Sequence, residues 1–195
     1  VAWDTCWVWR GLEDSYSHIA MPDTVFLAFV AAAISWGWLD VAAILVVAFL
    51  GMLRPGEACA LLVDDFVFHD LPGGGRCLFV RISNPKMRRL GPRREHVRLD
   101  DLEVIDFLKR ILDGLPLDLK LFNGSYSDFC WLFGKLCDTF DIAKTDGVGL
   151  TPASLRAGGA TFWYRRHDSA EWVRYRGRWS NTRMLEIYIQ EAAAC

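Results

Sequence analysis

The first sustained pattern along the chain is an apolar block at residues 24–53, thirty positions in which Asp40 is the only charge. Gly37 and Asp40 divide it into two runs of about 15 residues, short of the roughly 20 that a membrane-crossing helix needs. The block therefore predicts two buried helices. Asp40 is the expected cap of the second, which starts at Val41 and ends at Arg54-Pro55-Gly56. A turn at Asp64-Asp65 then leads into three short strands, Phe66–His69, Arg76–Ile82 and His96–Leu99. Gly73-Gly74-Gly75 joins the first two as a hairpin-type loop; no Gly-Lys-Ser/Thr follows, so it is not a phosphate-binding loop.

Helical spacing resumes afterwards. Asp100 is the expected cap of a helix through about Asp113, with Val104, Ile105, Leu108, Ile111 and Leu112 on its buried face. Phe129, Leu132, Phe133, Leu136 and Phe140 mark another over Tyr126–Phe140. Further helices are predicted from Thr151-Pro152 through Arg166, near Ser169–Tyr175, and over Thr182–Ala194. Within the helix from Thr151-Pro152 through Arg166, Ala157-Gly158-Gly159 places two glycines in an interior where each costs about 1 kcal/mol relative to alanine, which predicts close backbone packing. The fold class is α+β, mainly helical, with one small three-stranded antiparallel sheet. With 52% hydrophobic residues among 195, the chain can bury one real core. Residues 22–195 read as that domain, and residues 1–21, Trp-rich and without an initial Met, as a remnant or linker from something longer.

Charge changes this picture through its distribution. The net charge of −2 argues against a globally basic nucleic-acid binder. Yet Arg81–Arg98 and Arg156–Arg183 together hold fourteen of the 22 basic residues and only three of the 24 acids. That polarity fits a polyanion held on one face. The six cysteines show neither a CxxC pair nor zinc spacing, and Cys130 and Cys137 sit in an apolar helical pattern as core residues. This implies a reducing, intracellular setting.

Four segments carry candidate chemistry. Leu53-Arg54-Pro55-Gly56-Glu57 sets an arginine at the end of a buried helix with a carboxylate three residues on. Asn84-Pro85-Lys86-Met87-Arg88-Arg89 lies between two strands. Leu150-Thr151-Pro152-Ala153-Ser154-Leu155-Arg156 puts an arginine in the first turns of a helix. Gly177-Arg178-Trp179-Ser180-Asn181 is followed by Glu186-Ile187-Tyr188-Ile189. Taken singly, these are a helix-end arginine beside the dipole, a basic hairpin tip and two core aromatics.

Taken in order, they resemble the signature of tyrosine recombinases of the phage-integrase family: an arginine in an "LRxxE" box, a lysine on a β-hairpin, a "HxLR" helix start, and "GH" or "GW" followed nine residues later by tyrosine. The resemblance covers roughly residues 22–195 and implies roles residue by residue. Arg54 and Arg156 would be the two arginines, Glu57 the acidic support in the box of the first, Lys86 the hairpin lysine, Trp179 the His/Trp position, and Tyr188 the nucleophile. Arg88, Arg89, Arg93, Arg94 and Arg178 would contact DNA. The implied partners are duplex DNA and further copies of the chain, assembled on DNA as a tetramer. The implied location is at the DNA, in the nucleus if the cell is eukaryotic. No metal, cofactor or membrane is implied. One position departs: Ala153 stands where the family has histidine.

The residue types suit transesterification. A phenol, with a pKa of about 10, can form a 3′-phosphotyrosyl link that stores bond energy for rejoining. Two guanidiniums can grip both non-bridging oxygens with forked, permanently charged hydrogen bonds. Because a methyl group at 153 can neither take a proton nor bond a phosphate oxygen, a DNA-binding protein that no longer cuts is the alternative reading. A type IB topoisomerase shares the Arg/Lys/Tyr logic, but chain size and the Gly-Arg-Trp to Tyr188 spacing favour the recombinase. An integral membrane protein built on residues 24–53 is the fourth reading.

Overall fold

The computed structural model describes residues 19–83, 95–142, 149–182, 185–186 and 189. The apolar block forms two helices, α1 (Asp23–Ser35) and α2 (Leu39–Leu50), separated by a turn in which Gly37 takes a φ of 76°. α2 is apolar on every side and buries each residue from Val41 to Phe49, so it must be surrounded. Among the described residues, no helix is long and apolar enough to cross a membrane.

Both ends of α2 differ from expectation. It begins at Leu39, and Asp40 sits within its first turn, with Oδ1 accepting from Val41 N at 2.8 Å. It ends at Leu50, before the Arg-Pro-Gly segment, because Met52 adopts a left-handed φ of 51° and turns the chain away. Pro55 disfavours helical backbone at Arg54, whose ψ is 139°, and is itself suited to the first position of a helix. Arg54-Pro55-Gly56 thus opens a new short helix, α3 (Pro55–Ala58), instead of closing the old one.

A 3-10 turn at Val63–Asp65 leads into the sheet. Strands β1 (Phe66–Asp70), β2 (Arg76–Ile82) and β3 (Glu95–Leu99) lie in the order β1-β2-β3, all antiparallel, with Val80 opposite both Phe66 and Val97. Leu78, Val80 and Ile82 turn one face of β2 into the core, while Phe79 and Arg81 alternate outward. Helix α4 (Leu102–Leu112) packs on β2 and α2 through Ile105, Leu108 and Leu112. Its cap is Asp101 and not Asp100: Asp101 Oδ1 accepts from Glu103 N at 3.0 Å and Val104 N at 3.1 Å. Asp100 instead takes Arg98 Nε at 2.5 Å and Arg176 Nη2. Helix α5 (Tyr126–Thr139) is closed at its start by a reciprocal pair, Asp128 N to Ser125 Oγ and Ser125 N to Asp128 Oδ2. It buries Phe129, Phe133 and Leu136, whereas Phe140 lies past its end, 42% exposed. Cys130 and Cys137 are only partly buried; the buried thiols are Cys59 and Cys77.

Helix α6 (Ala153–His167) crosses α2, and the glycine pair lies at the crossing. A Cβ on Gly159 would stand 1.9 Å from Phe49 O, and one on Gly158 would stand 2.4 Å from Met21 O. Met21 is itself buried, and its N–H donates to Ser154 O at 3.1 Å, so the packed domain already includes residue 21. Helix α7 (Ala170–Arg176) follows after Asp168 reverses the chain at a φ of 48°. Thr182, Leu185, Glu186 and Ile189 are helical. The main core fills the space around α2, and Met52, Ala160, Val173, Trp179 and Leu185 form a second, smaller cluster.

Gly159→Ala should lower stability by about 2–3 kcal/mol through overpacking, shifting Tm down by roughly 4–12 °C for a domain of this size. Gly134→Ala, in α5 where an added Cβ meets nothing within 4 Å, should gain about 0.5–1 kcal/mol. Thermal melts of the two variants check both signs.

Candidate active site

The site is built where α2, α3, α6 and α7 end or begin. Because Arg54 starts α3 with extended backbone, Glu57, one turn on, can reach back to it. Glu57 Oε2 accepts from Arg54 N at 3.1 Å, and Oε1 accepts from Arg54 Nη1 at 2.8 Å. Arg54 Nε and Nη2 have no partner among the described residues, and its side chain is 33% exposed.

A second cation closes on the same carboxylate. Arg178 Nη2 donates to Glu57 Oε2 at 2.8 Å, and its Nη1 donates to Glu95 Oε2 at the start of β3. Glu57 and Arg178 have well-buried side chains, at 6% and 9% exposure, and Glu95 is partly buried. Burial pushes the Glu57 carboxyl up. The Arg178 charge and hydrogen bonds from Arg178 and Arg54 outweigh it, so Glu57 titrates below the ordinary carboxylate range.

Arg156 is held from another direction. Its Nη1 donates to Met52 O and its Nη2 to Gly177 O, each at 2.8 Å. Those carbonyls lie just beyond the C-termini of α2 and α7, where unpaired carbonyls gather partial negative charge. The Arg156 guanidinium also stands 4.4 Å from the Trp179 ring centroid. Gly177 is required there, since a Cβ would fall 1.7 Å from that ring. Arg156 thus draws together the segments leading into Arg54 and into Arg178. Among the sequence-predicted residues, the structure brings together Arg54, Glu57, Arg156, Arg178 and Trp179. Lys86, Arg88, Arg89, Arg93, Arg94 and Tyr188 lie outside the described residues. Ala153 sits at the start of α6, partly buried.

Two expectations change. Arg178, expected to face DNA, has both terminal nitrogens on internal carboxylates. Among the described residues, fewer cations are also left unpaired than the sequence implies. Arg81 pairs with Asp64 and Asp65, Arg98 and Arg176 with Asp100, and Arg174 with Glu171. The acids that neutralise them come mostly from outside the two basic stretches, so a tally along the chain does not find them. Glu95 was missed as a site residue. Its signal was present, as the lone acid among seven basic residues from Arg81 to Arg98.

No family model matches the sequence, and no curated protein matches it. Solved structures do. XerA recombinase matches with 19% identity and a TM-score of 0.67, over 93% of this chain and 64% of that one. The XerH site-specific recombinase, bound to its difH substrate in a pre-cleavage complex, matches with 18% identity and a TM-score of 0.65, over 91% and 53%. The Tn1549 transposon integrase, in complex with circular intermediate DNA, matches with 17% identity and a TM-score of 0.65, over 93% and 66%. The chain spans between about half and two thirds of the length of these proteins. It has the fold of a tyrosine-recombinase catalytic domain.

Glu57→Gln should destabilise the domain by about 3–5 kcal/mol at neutral pH, because Arg178 keeps its charge and loses a buried partner. A carboxyl whose folded pKa is depressed stabilises above its unfolded value, about 4.3 for glutamate, and loses that contribution as pH falls through the folded one. Urea unfolding from pH 7 to pH 3 should therefore show the gap between wild type and Glu57→Gln narrowing only below about pH 4.3.

Proposed function

We propose that this chain cleaves and rejoins duplex DNA through a covalent 3′-phosphotyrosyl intermediate, as a site-specific recombinase or integrase. The observation that carries the reading is the gathering of Arg54 and Arg156, distant in sequence, around one set of contacts. Arg54 and Arg156 hold the two non-bridging oxygens of the scissile phosphate. The Tyr188 oxygen attacks phosphorus as the bond to the 5′-oxygen breaks, and Lys86 supplies the proton that this oxygen takes. Trp179 Nε1 donates to the phosphate. With alanine at 153, the phenolic proton leaves to water. Rejoining runs the same steps in reverse. Arg88, Arg89, Arg93 and Arg94 bind phosphates along the duplex, and copies of the chain assemble on DNA as a tetramer.

Two observations support this reading. The solved neighbours include recombinases bound to DNA, both before and after cleavage. Electrostatic gripping of a phosphorane needs donors fixed in advance, and buried ion pairs and carbonyl bonds restrict Arg54 and Arg156 in this way. The surviving arginines favour retained chemistry over the alternative of a DNA-binding protein that has lost cleavage through Ala153.

A pool of duplexes with a random core and a 5′-bridging phosphorothiolate traps the intermediate. Wild type should form a covalent adduct that maps to Tyr188, and Tyr188→Phe should form none. Ala153→His should raise the rate by about 10–100-fold, the lower range for a positioned acid–base group, and only while Tyr188 is present. DNA binding without any adduct in wild type would select the non-cutting alternative.

Salt dependence tests the basic connection between β2 and β3. Neutralising Arg88 and Arg89 together should weaken binding across sequences and flatten the log Kd against log salt slope by roughly 1–2 units. An unchanged slope would assign these arginines to the solvated surface.

A further inference from the structure

Arg178 has a backbone φ of 61°, in the left-handed region that favours glycine and that long side chains rarely adopt. Arginine at such a position draws attention to what its side chain does. Its two terminal nitrogens reach carboxylates on different elements, Glu57 in α3 and Glu95 at the start of β3. Its Nε is buried with no partner among the described residues. Next to it in sequence, Gly177 O accepts from Arg156, and the Trp179 ring lies beside that same guanidinium.

We infer that Arg178 is a positioning residue, which fixes the Arg54 guanidinium through Glu57 and ties the start of strand β3 to the same point through Glu95. The inference rests on the strand-cleaving function proposed above. Two features separate it from a contact to DNA and from plain cohesion. The Arg178 side chain is 9% exposed and both its terminal nitrogens are on carboxylates, charge-assisted bonds stronger than those of Arg156 to neutral backbone carbonyls, so it is the less able of the two to turn to an external phosphate. A buried ion pair that served cohesion alone is often replaceable by apolar residues without loss. Here the pair ends on Arg54, which extends beyond it toward solvent: Glu57 binds Arg54 at both the backbone N–H and Nη1. With Arg178 absent, that carboxylate would keep only the Arg54 backbone N–H and a single partly exposed cation, and would lose the buried cation that holds it from the opposite side. Arg54 would then sample several rotamers where a phosphorane requires one.

The test uses the full chain with Arg178→Gly, which relieves the backbone, and Arg178→Lys, which restores one cation. Three quantities are read: duplex affinity, its salt slope, and the first-order adduct rate on the phosphorothiolate pool at saturating DNA. For Arg178→Gly the adduct rate should fall about 100-fold, as for a misplaced catalytic group, with affinity and salt slope unchanged. Arg178→Lys should recover part of that loss. Glu57→Gln should cost a similar factor alone and add little in the Arg178→Gly background, because the two act in series. A salt slope reduced by about one unit would overturn the inference in favour of a DNA contact, and an unchanged adduct rate would reduce Arg178 to cohesion.

Guanidinium NMR of Arg54 judges the positioning apart from catalysis. Its Nε–Hε resonance should be narrow in wild type and broadened in Arg178→Gly, with Arg178→Lys intermediate. An Arg54 signal indifferent to all three would sink the inference. If wild type forms no adduct, the strand-cleaving function fails while this resonance still decides the coupling. If Arg178→Gly does not fold, the Arg178→Lys comparison decides it alone.

Discussion

The site depends on one steric constraint, the contact of α6 against α2 with no side chain between them. At Gly159 the two backbones approach so closely that a single added carbon would overlap the Phe49 carbonyl. That approach sets the height of α6 relative to the end of α2, and so lets Arg156, one turn earlier, reach the Met52 carbonyl. A glycine pair weakens a helix in isolation. Here the loss is offset by packing, since the same contact seats Phe49 and Met21 in the core.

Charge then does what packing cannot. Glu57 is a buried carboxylate and Glu95 a partly buried one, and Arg178 and Arg54 offset them, so the group is close to neutral as a unit. Such an arrangement is strongly directional, because Arg178 Nη1, Arg178 Nη2 and Arg54 Nη1 each have one carboxylate acceptor. Two further guanidinium bonds, from Arg156 to backbone carbonyls, fix the loops that carry these residues. The result is a frame in which arginines hold other segments of the chain as well as presenting charge outward.

Much of this was legible in the sequence. Alternation gave β2 to the residue, and helical spacing gave the buried faces of α4 and α5, because one face of each is covered by the core. The glycine pair announced close packing for the same reason that it is costly elsewhere. Helix ends were less legible. Asp100 and Asp101 are equally good caps on paper, and only the tertiary pull of Arg98 and Arg176 on Asp100 decides between them. Likewise Arg-Pro-Gly looks like a stop, but Met52, with no sequence signal for left-handed backbone, makes the turn first. At the site, the residue types and their order were readable, while the role of Arg178 was not. Its partners lie 121 and 83 residues away, and a count of local charge cannot see them.

The smaller apolar cluster of Met52, Ala160, Val173, Trp179 and Leu185 has a consequence of its own. It is a satellite of few side chains, and its members come from the end of α2, from α6 and α7, and from the chain beyond Trp179. Regions held by few buried contacts open at lower free energy than the global fold. Residues on either side of Tyr188 in sequence belong to this satellite, since Leu185 is a member and Ile189 packs against it. By that rule the cluster around Leu185 has its own opening equilibrium while the main core stays intact. Amide exchange in this cluster would follow the size of Val173 and Leu185 far more steeply than exchange in α2, and small apolar changes in this layer would tune how long the cluster stays closed without altering the fold.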